Sequence, residues 1–585
     1  MNRQERIRTA VVLGVFAIVF CVLTVSSYRQ KSATWDEPQH VAAGYAAWIA
    51  GDYRADPEHP PFLRMWATIP LLFRHDVVSN PDAIAAHAYG EWLGQGQFAF
   101  CHQFLYKWND ADQLLYAARF MIVLLGVLLG VMVFCWAREL FGFWSAVAAL
   151  SLYTFEPNIL AHSSLVTTDF GVTCFIFGAV YFTWRIARRI TISNMFGLAV
   201  FFALAEASKF SAFLLAPVLL VLLLARACRG LPWSIGAKGE LRSRRARIGV
   251  AFGIFVCLCM VAYLAVWATY GFRYAPVPGD PAGTCLQTIA FERERVPRLA
   301  TLMDWTNQHR LLPNAYTEGL LLGQAKAQMR GAFLAGHYSV VGWWYYFPVA
   351  FLIKTPLAVI LLLLAGLAIC VARWRALLRD DMFLLLPVIV YLGAAIAVKM
   401  NIGLRHILPI YPFALLLAAL AVSELLRSKQ KCVYALLVAL SLLWLFEFAR
   451  VYPHYLAFFN QFVGGPRNGY EYLADSNLDW GQDLKPLKRW MDEHGVQHIN
   501  LAYFGTADPA YYGIQCTYLP GSPFFAERLV QPPQLPGYVA VSATILDGVY
   551  LSDLGREFYK RLLAQKPVAV IGYSIYIYRM DKPWW

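Results

Sequence analysis

Residues 9–27 read TAVVLGVFAIVFCVLTVSS, and residues 28–40 read YRQKSATWDEPQH. The first stretch carries no charge and is long enough to cross the hydrocarbon core of a bilayer, which takes roughly 20 apolar residues. The second turns polar and brings two adjacent carboxylates, Asp36 and Glu37, just behind the apolar run. A signal peptide is the other reading of such a run. Its length, with no clear small-x-small cleavage site, favours an uncleaved anchor.

The pattern repeats along the chain. Apolar runs at 115–137, 143–156, 170–184, 195–208, 210–225, 249–270, 355–372, 382–399, 407–426 and 432–450 bring the candidate spans to eleven. The runs 143–156, 170–184 and 195–208 are short and need flanking residues to cross. Of 585 residues, 59% are hydrophobic and 15% charged, against about 25% charged in soluble domains. That excludes a disordered chain, a coiled coil and a disulfide scaffold, and it fits an ordinary cytosolic enzyme poorly. Of 11 Cys, seven (Cys21, Cys135, Cys174, Cys257, Cys259, Cys370 and Cys432) lie in apolar runs as small hydrophobes. Cys101, Cys285 and Cys516 fall in polar segments and allow one disulfide at most.

The formal net charge is +13. Alternate loops, counted from the amino terminus, carry Arg3, Arg6 and Arg8, then Arg138, then Arg185, Arg188 and Arg189. Seven basic residues follow between 226 and 247, then Arg373, Arg375 and Arg379, then Arg427, Lys429 and Lys431. These loops hold twenty basic residues against five acidic ones, so the excess marks topology, not nucleic-acid binding. The amino terminus is expected in the cytoplasm and, with an odd number of spans, the carboxyl terminus on the other side.

The expected fold is thus a polytopic α-helical membrane protein of about eleven helices. A transmembrane domain covers 1–450, with large outer loops at 28–114 and 271–354, and a soluble α/β domain covers 451–585. In that domain Tyr472–Asp475, His498–Phe504, Tyr538–Thr544 and Pro567–Tyr578 read as strands, and Asp483–Gly495 and Leu554–Gln565 as helices.

In the first outer loop, Val41, Tyr45, Trp48 and Ile49 recur at helical spacing, as in an amphipathic helix lying in the membrane interface. Thr34-x-x-Glu37 fits a capping box, and Pro38 suits a first helical turn. Asp36 remains available as a general base, because an acceptor hydroxyl must lose a proton as it attacks.

Trp35-Asp36-Glu37, followed by Glu58-His59-Pro60-Pro61-Phe62, resembles the dolichyl-phosphate-mannose protein mannosyltransferase family, which includes the bacterial aminoarabinose transferases. The latter carry Lys-Pro-Pro where this chain has His59-Pro60-Pro61. These are C-type glycosyltransferases, which take a sugar from a polyprenyl phosphate on the non-cytoplasmic side. Thr167-Thr168-Asp169 resembles the family's second acidic position, and Lys209 in Ala207-Ser208-Lys209 its phosphate-contacting lysine. Arg405-His406, followed by Leu-Pro, resembles its Arg-Tyr/His segment. The local alternatives are an N-cap at Asp169 and a snorkelling lysine at Lys209. Lys354, behind the aromatic stretch 343–347, reads as the basic anchor of an aromatic belt.

The resemblance implies an inverting hexosyl- or pentosyltransferase of the bacterial inner membrane, with its carboxyl-terminal domain in the periplasm. It implies Asp36, Glu37 and Asp169 as catalytic carboxylates and Lys209, Arg405 and His406 as donor-phosphate contacts. Its partners are a polyprenyl-phosphate-linked sugar and an acceptor lipid, glycan or protein. A divalent cation is an open question, with Asp36, Asp169 and His59 as the ligands available. His59, Trp35, Asp479 and Trp480 are candidate sugar or acceptor contacts. For Asp479 the competing reading is a cap in a strand-to-helix loop. The alternatives from other classes are a flippase or transporter of lipid-linked sugars and a non-catalytic glycan-binding assembly protein.

Overall fold

A computed structural model describes residues 2–79, 97–279, 290–373, 380–522 and 530–584. Arg375, Arg379 and Cys285 lie outside the described residues. Each of the eleven expected spans falls on a helix. Among the described residues, seven helices are long and apolar enough to cross a membrane, and an eighth if Tyr346–Lys354 and Leu357–Ala372, bent by 118°, form one span. The bend falls at Thr355-Pro356, where Asn460 Nδ2 donates to the Thr355 carbonyl at 2.9 Å. Phe143–Thr154, Ile192–Glu206 and Met382–Ala397 are shorter, at 12, 15 and 16 residues. The run at 170–184, short in the sequence, extends to 21 residues as Thr168–Arg188.

Thr168–Arg188 and Leu404–Arg427 are buried almost throughout and form the centre of the bundle. Arg3–Tyr28 and Lys431–Val451 lie at its edge. Ile7, Val11, Val15, Ile18 and Val22 form one exposed apolar face of the first helix, as a lipid-facing helix requires. Its other face packs on Ala111–Phe141 at Gly130, where a Cβ would stand 2.2 Å from the Phe16 ring. Only glycine permits that approach.

The helix Glu37–Ile49 differs from expectation. It is buried on nearly all sides, and only Trp48 and Ile49 at its end are exposed. It packs on Phe62–Thr68, with Gly44 against the Arg64 carbonyl, so it belongs to the protein core and not to the membrane interface. Lys354 is likewise no interfacial anchor: it is buried and donates to the carbonyls of Leu456, at 2.8 Å, and Asn477.

The carboxyl-terminal domain holds a five-stranded sheet, with β1 at Ile499–Ala502, β2 at Cys516–Tyr518, β3 at Gly537–Ser542, β4 at Ala569–Ile571 and β5 at Ile575–Met580, in the order β2-β1-β3-β5-β4. β1 runs parallel to β2 and β3, and β5 runs antiparallel to β3 and β4. The helices Leu484–Glu493 and Asp553–Leu563 accompany it. Two expectations are corrected. Tyr472–Asp475 forms no strand: residues 472–474 link two 3₁₀ turns, Pro466–Glu471 and Asp475–Asn477. The run 567–578 is two strands, broken by a turn with positive φ at Gly572 and Tyr573. Cys101 and Cys516 are free thiols.

The three large polar segments meet at one end of the bundle. Ser32 N–H donates to the Gln482 carbonyl at 2.9 Å, and Trp35 N–H to the Trp480 carbonyl at 2.8 Å. Tyr53 N–H donates to the Pro276 carbonyl at 3.1 Å, and Ala335 N–H to that of Tyr472 at 3.0 Å.

Candidate active site

Asp36 sits in the turn that opens the helix Glu37–Ile49. Its carboxylate makes no capping bond to that helix. The neighbouring Glu37 fixes the turn instead: it is fully buried and takes a forked pair from Arg119, at 2.8 and 2.5 Å. Thr34 N–H at 2.8 Å and Val166 N–H at 3.0 Å complete its shell. Burial opposes the charge, yet Arg119 and these amides hold the Glu37 carboxyl below its usual range. Arg119 spends its other donors on the carbonyls of Tyr28 (3.0 Å) and Ser32 (2.8 Å). Glu37 is therefore placed as a support behind Asp36. Arg119 is absent from the residues the sequence reading singles out, although a lone arginine inside the apolar run 115–137 is a usable signal.

The Asp36 carboxylate, about a quarter exposed, accepts from Arg405 Nη1 at 2.8 Å. The same Nη1 lies 3.6 Å from Asp169 Oδ2. Asp169 Oδ1 is in contact with Lys209 Nζ. Four residues separated by up to 369 positions thus form one chain of alternating charge, Asp36–Arg405–Asp169–Lys209. Two carboxylates face two cations, which is how buried charge is tolerated near a bilayer. Asp169 lies in the first turn of its helix without capping it, and Lys209 is extended between two helices.

Unspent hydrogen-bonding capacity surrounds this chain. Arg405 Nε, His406 Nε2, Thr167 Oγ1, Thr168 Oγ1 and His162 Nδ1 are buried with no partner among the described residues. Each unmade bond of this kind costs about 1–3 kcal/mol.

A second cluster borders Asp36. His40 Nδ1 lies 2.7 Å from Asp56 Oδ2, and Arg64 Nη1 lies 2.9 Å from the same oxygen. Burial works against the Asp56 charge, but Arg64 and then His40 hold its carboxyl well below the usual range. The His59 ring lies 6.0 Å from that of His40. Burial, and after it the Lys209 ammonium, push the His59 imidazole down to about 4. Glu58 is engaged with Lys326 at 2.5 Å.

The carboxyl-terminal domain closes the site. Trp480 lies over Arg405, 4.2 Å from guanidinium carbon to ring centre. Asn477 Oδ1 accepts from Leu404 N–H at 2.9 Å, and Ser476 Oγ donates to the Ile402 carbonyl at 3.0 Å. At Gly403 a Cβ would stand 2.1 Å from Ser476 Oγ, so this contact requires glycine. Trp35 stacks on Phe504 at 4.7 Å. Asp479 faces inward, accepting from Thr544 N–H at 2.9 Å, and burial pushes its carboxyl up to about 7.

Among the described residues, no group of three or more His, Cys, Asp and Glu side chains converges to hold a metal ion. Asp36 and Asp169 are already compensated by Arg405 and Lys209, so a divalent cation does not fit between them as they stand.

Residues 111–239 match the family model of dolichyl-phosphate-mannose-protein mannosyltransferases. That segment contains Arg119, Asp169 and Lys209 but neither Asp36 nor Arg405. No curated protein matches the chain by sequence. Among solved structures, it is similar to the Archaeoglobus fulgidus oligosaccharyltransferase in the apo form, at 15% identity over 95% of this chain and 73% of that one, with a TM-score of 0.44. It is also similar to ArnT from Cupriavidus metallidurans bound to undecaprenyl phosphate, at 12% identity over 96% of this chain and 97% of that one, with a TM-score of 0.27.

Proposed function

We propose that this chain transfers a sugar from a polyprenyl-phosphate donor to an acceptor hydroxyl, with inversion, at the end of the bundle covered by the carboxyl-terminal domain. The observation that carries the reading is Arg405 between Asp36 and Asp169, with Lys209 closing the far side. The donor phosphate enters at Lys209 and Arg405 and takes up the unpaired donors at Arg405 Nε and His406. Charge grows on its oxygens as the glycosidic C–O bond breaks, so these cations stabilise the transition state more than the ground state. Asp36, freed from Arg405 as the guanidinium turns to the phosphate, accepts the proton of the attacking hydroxyl. Asp169 keeps Lys209 and Arg405 in place, and Glu37 with Arg119 fixes the turn that aims Asp36. The site faces the periplasm of a bacterial inner membrane, with the amino terminus in the cytoplasm.

The test pairs mass spectrometry of envelope glycans and lipids, with and without the protein, with the Asp36→Asn variant in purified form. One sugar modification is expected to vanish with the protein. Release of polyprenyl phosphate from the donor is expected to fall ~10²–10⁴-fold in the variant. An unchanged envelope, or a fully active variant, overturns the reading.

A further inference from the structure

The helix Thr168–Arg188 carries Asp169 at one end and Arg185 and Arg188 at the other. At 1.5 Å per residue these ends lie about 30 Å apart, the thickness of a bilayer core. The far end holds an open surface hollow of about 270 Å³ lined by Glu139, Arg185, Arg188, Arg189, Thr191, Ser193 and Asn194, with no apolar side chain among them and with Arg188 and Arg189 exposed.

The connection between two helices builds this hollow. Arg189 and Ile190 pair in parallel with Ser234 and Ile235, which fixes the exit of the first helix. Thr191 caps the next helix, Ile192–Glu206, by accepting from Asn194 N–H at 3.2 Å. Asn194 Nδ2 returns to the Arg189 carbonyl at 3.1 Å. The three arginines are therefore held on a tied corner and not on a loose loop.

Their charge is under-compensated. Arg188 lies over the Trp184 ring at 4.1 Å and reaches Asp380 at 3.5 Å. Arg185 stands 4.0 Å from Glu139, whose carboxylate already accepts from Tyr181 at 2.5 Å. Arg189 is exposed beside them on the rim of the hollow, with no ion pair among the described residues. Helix termini favour cations at their carboxyl end, which accounts for Arg185 and Arg188 in part. Neither that nor the loop bias that Arg185, Arg188 and Arg189 share accounts for two hydroxyls gathered with three guanidiniums in one polar hollow. Three guanidiniums present planar donor forks suited to phosphate oxygens. The volume is small for a drug-sized ligand or nucleotide and suits a single phosphate with its ester substituent.

The geometry points to a phosphate-binding site at the bundle end opposite Asp169, formed by Arg185, Arg188 and Arg189 with Thr191 and Ser193, for a phosphate mono- or diester such as a lipid headgroup. Its depth along the helix places it where headgroups of the far leaflet lie. This site is independent of the transfer reaction proposed above.

The test uses the full-length protein in nanodiscs of phosphatidylcholine doped with phosphatidylglycerol, and in uncharged detergent with inorganic phosphate. Lipids retained by the protein are read by native mass spectrometry, and thermal stability is read in parallel. Phosphatidylglycerol is expected to be retained in preference to phosphatidylcholine. Arg188→Ala with Arg189→Ala is expected to weaken that retention about tenfold or more. Arg188→Lys with Arg189→Lys keeps the charge, loses the forks, and is expected to fall between. If inorganic phosphate stabilises the wild type and not the alanine variant, with no preference among lipids, the site takes free phosphate. If the alanine variant and wild type retain lipid equally and respond equally to phosphate, the inference is wrong.

Discussion

The Arg405 guanidinium lies against the face of Trp480, 4.2 Å from the ring centre. A cation rooted in the helical bundle is thus covered by an indole of the carboxyl-terminal domain, itself buried. A guanidinium covered on its face keeps its in-plane donors for anions.

Replacing Trp480 tests that cover. A cation–π contact contributes about 0.5–2 kcal/mol, so Trp480→Ala is expected to weaken donor binding about twofold to thirtyfold. Trp480→Phe is expected to keep most of it. Donor KM, measured beside the thermal midpoint, separates the roles. A purely structural tryptophan moves the midpoint and leaves KM unchanged in the surviving folded protein.

The Glu37–Arg119 pair has no exposure on either side chain. Removing one partner leaves a buried charge without compensation, which costs about 3–5 kcal/mol. Arg119→Leu and Glu37→Gln are each expected to lower stability by that order. Combining the two substitutions in one chain is expected to recover part of the loss. Unfolding in detergent of the two singles and the double measures this; strict additivity of the losses counts against direct pairing.

His59 gives a pH signature. Its folded value of about 4 lies below the ordinary 6.5. The neutral ring is favoured in the folded state, so its contribution is whole above pH 6.5 and is lost as pH falls toward 4. Relative to His59→Gln, the wild type is expected to lose stability over that window, by ~1–3 kcal/mol. Thermal midpoints of both proteins from pH 4 to 7.5 check it, because other titrating groups are common to the two. A constant difference across the range contradicts the assignment.

Gly403→Ala places a methyl on Ser476 Oγ. It is expected to loosen the carboxyl-terminal domain from the segment that carries Arg405 and to lower transfer. Adding Ser476→Ala removes the hydroxyl in the way and is expected to restore part of the activity. Protease sensitivity of the junction is expected to follow the same order. If the double variant is worse than the single, the hydrogen bond from Ser476 to Ile402 outweighs the clash.

The apolar runs mark the helices because burial in a bilayer leaves a plain compositional trace, and even the short run at 170–184 lies within a full-length helix. Asp36, Asp169, Lys209 and Arg405 stand out by resemblance, and the structure brings those four together. Other features are out of reach for physical reasons. Nothing local to Trp480 says that it will meet a residue 75 positions earlier. The helix Glu37–Ile49 has an amphipathic spacing, but it is buried by tertiary partners that its own sequence does not encode. The turn at Gly572 and Tyr573 interrupts a run rich in β-branched and aromatic residues, and a single glycine within it is a faint signal for a hairpin. Arg119 is legible, since an arginine inside an apolar run demands a partner.

The stitching of residues 32–35 to residues 480–484 has a consequence for biosynthesis. Ser32 Oγ donates to the Gly481 carbonyl at 2.9 Å across 449 positions, and Leu484 N–H donates back to that hydroxyl at 3.2 Å. A ribosome releases the first half of this seam long before the second. The charge cluster around Asp36 therefore stays uncovered until the last quarter of the polypeptide has been delivered, and a chain cut short at residue 450 is expected to insert its helices yet remain inert.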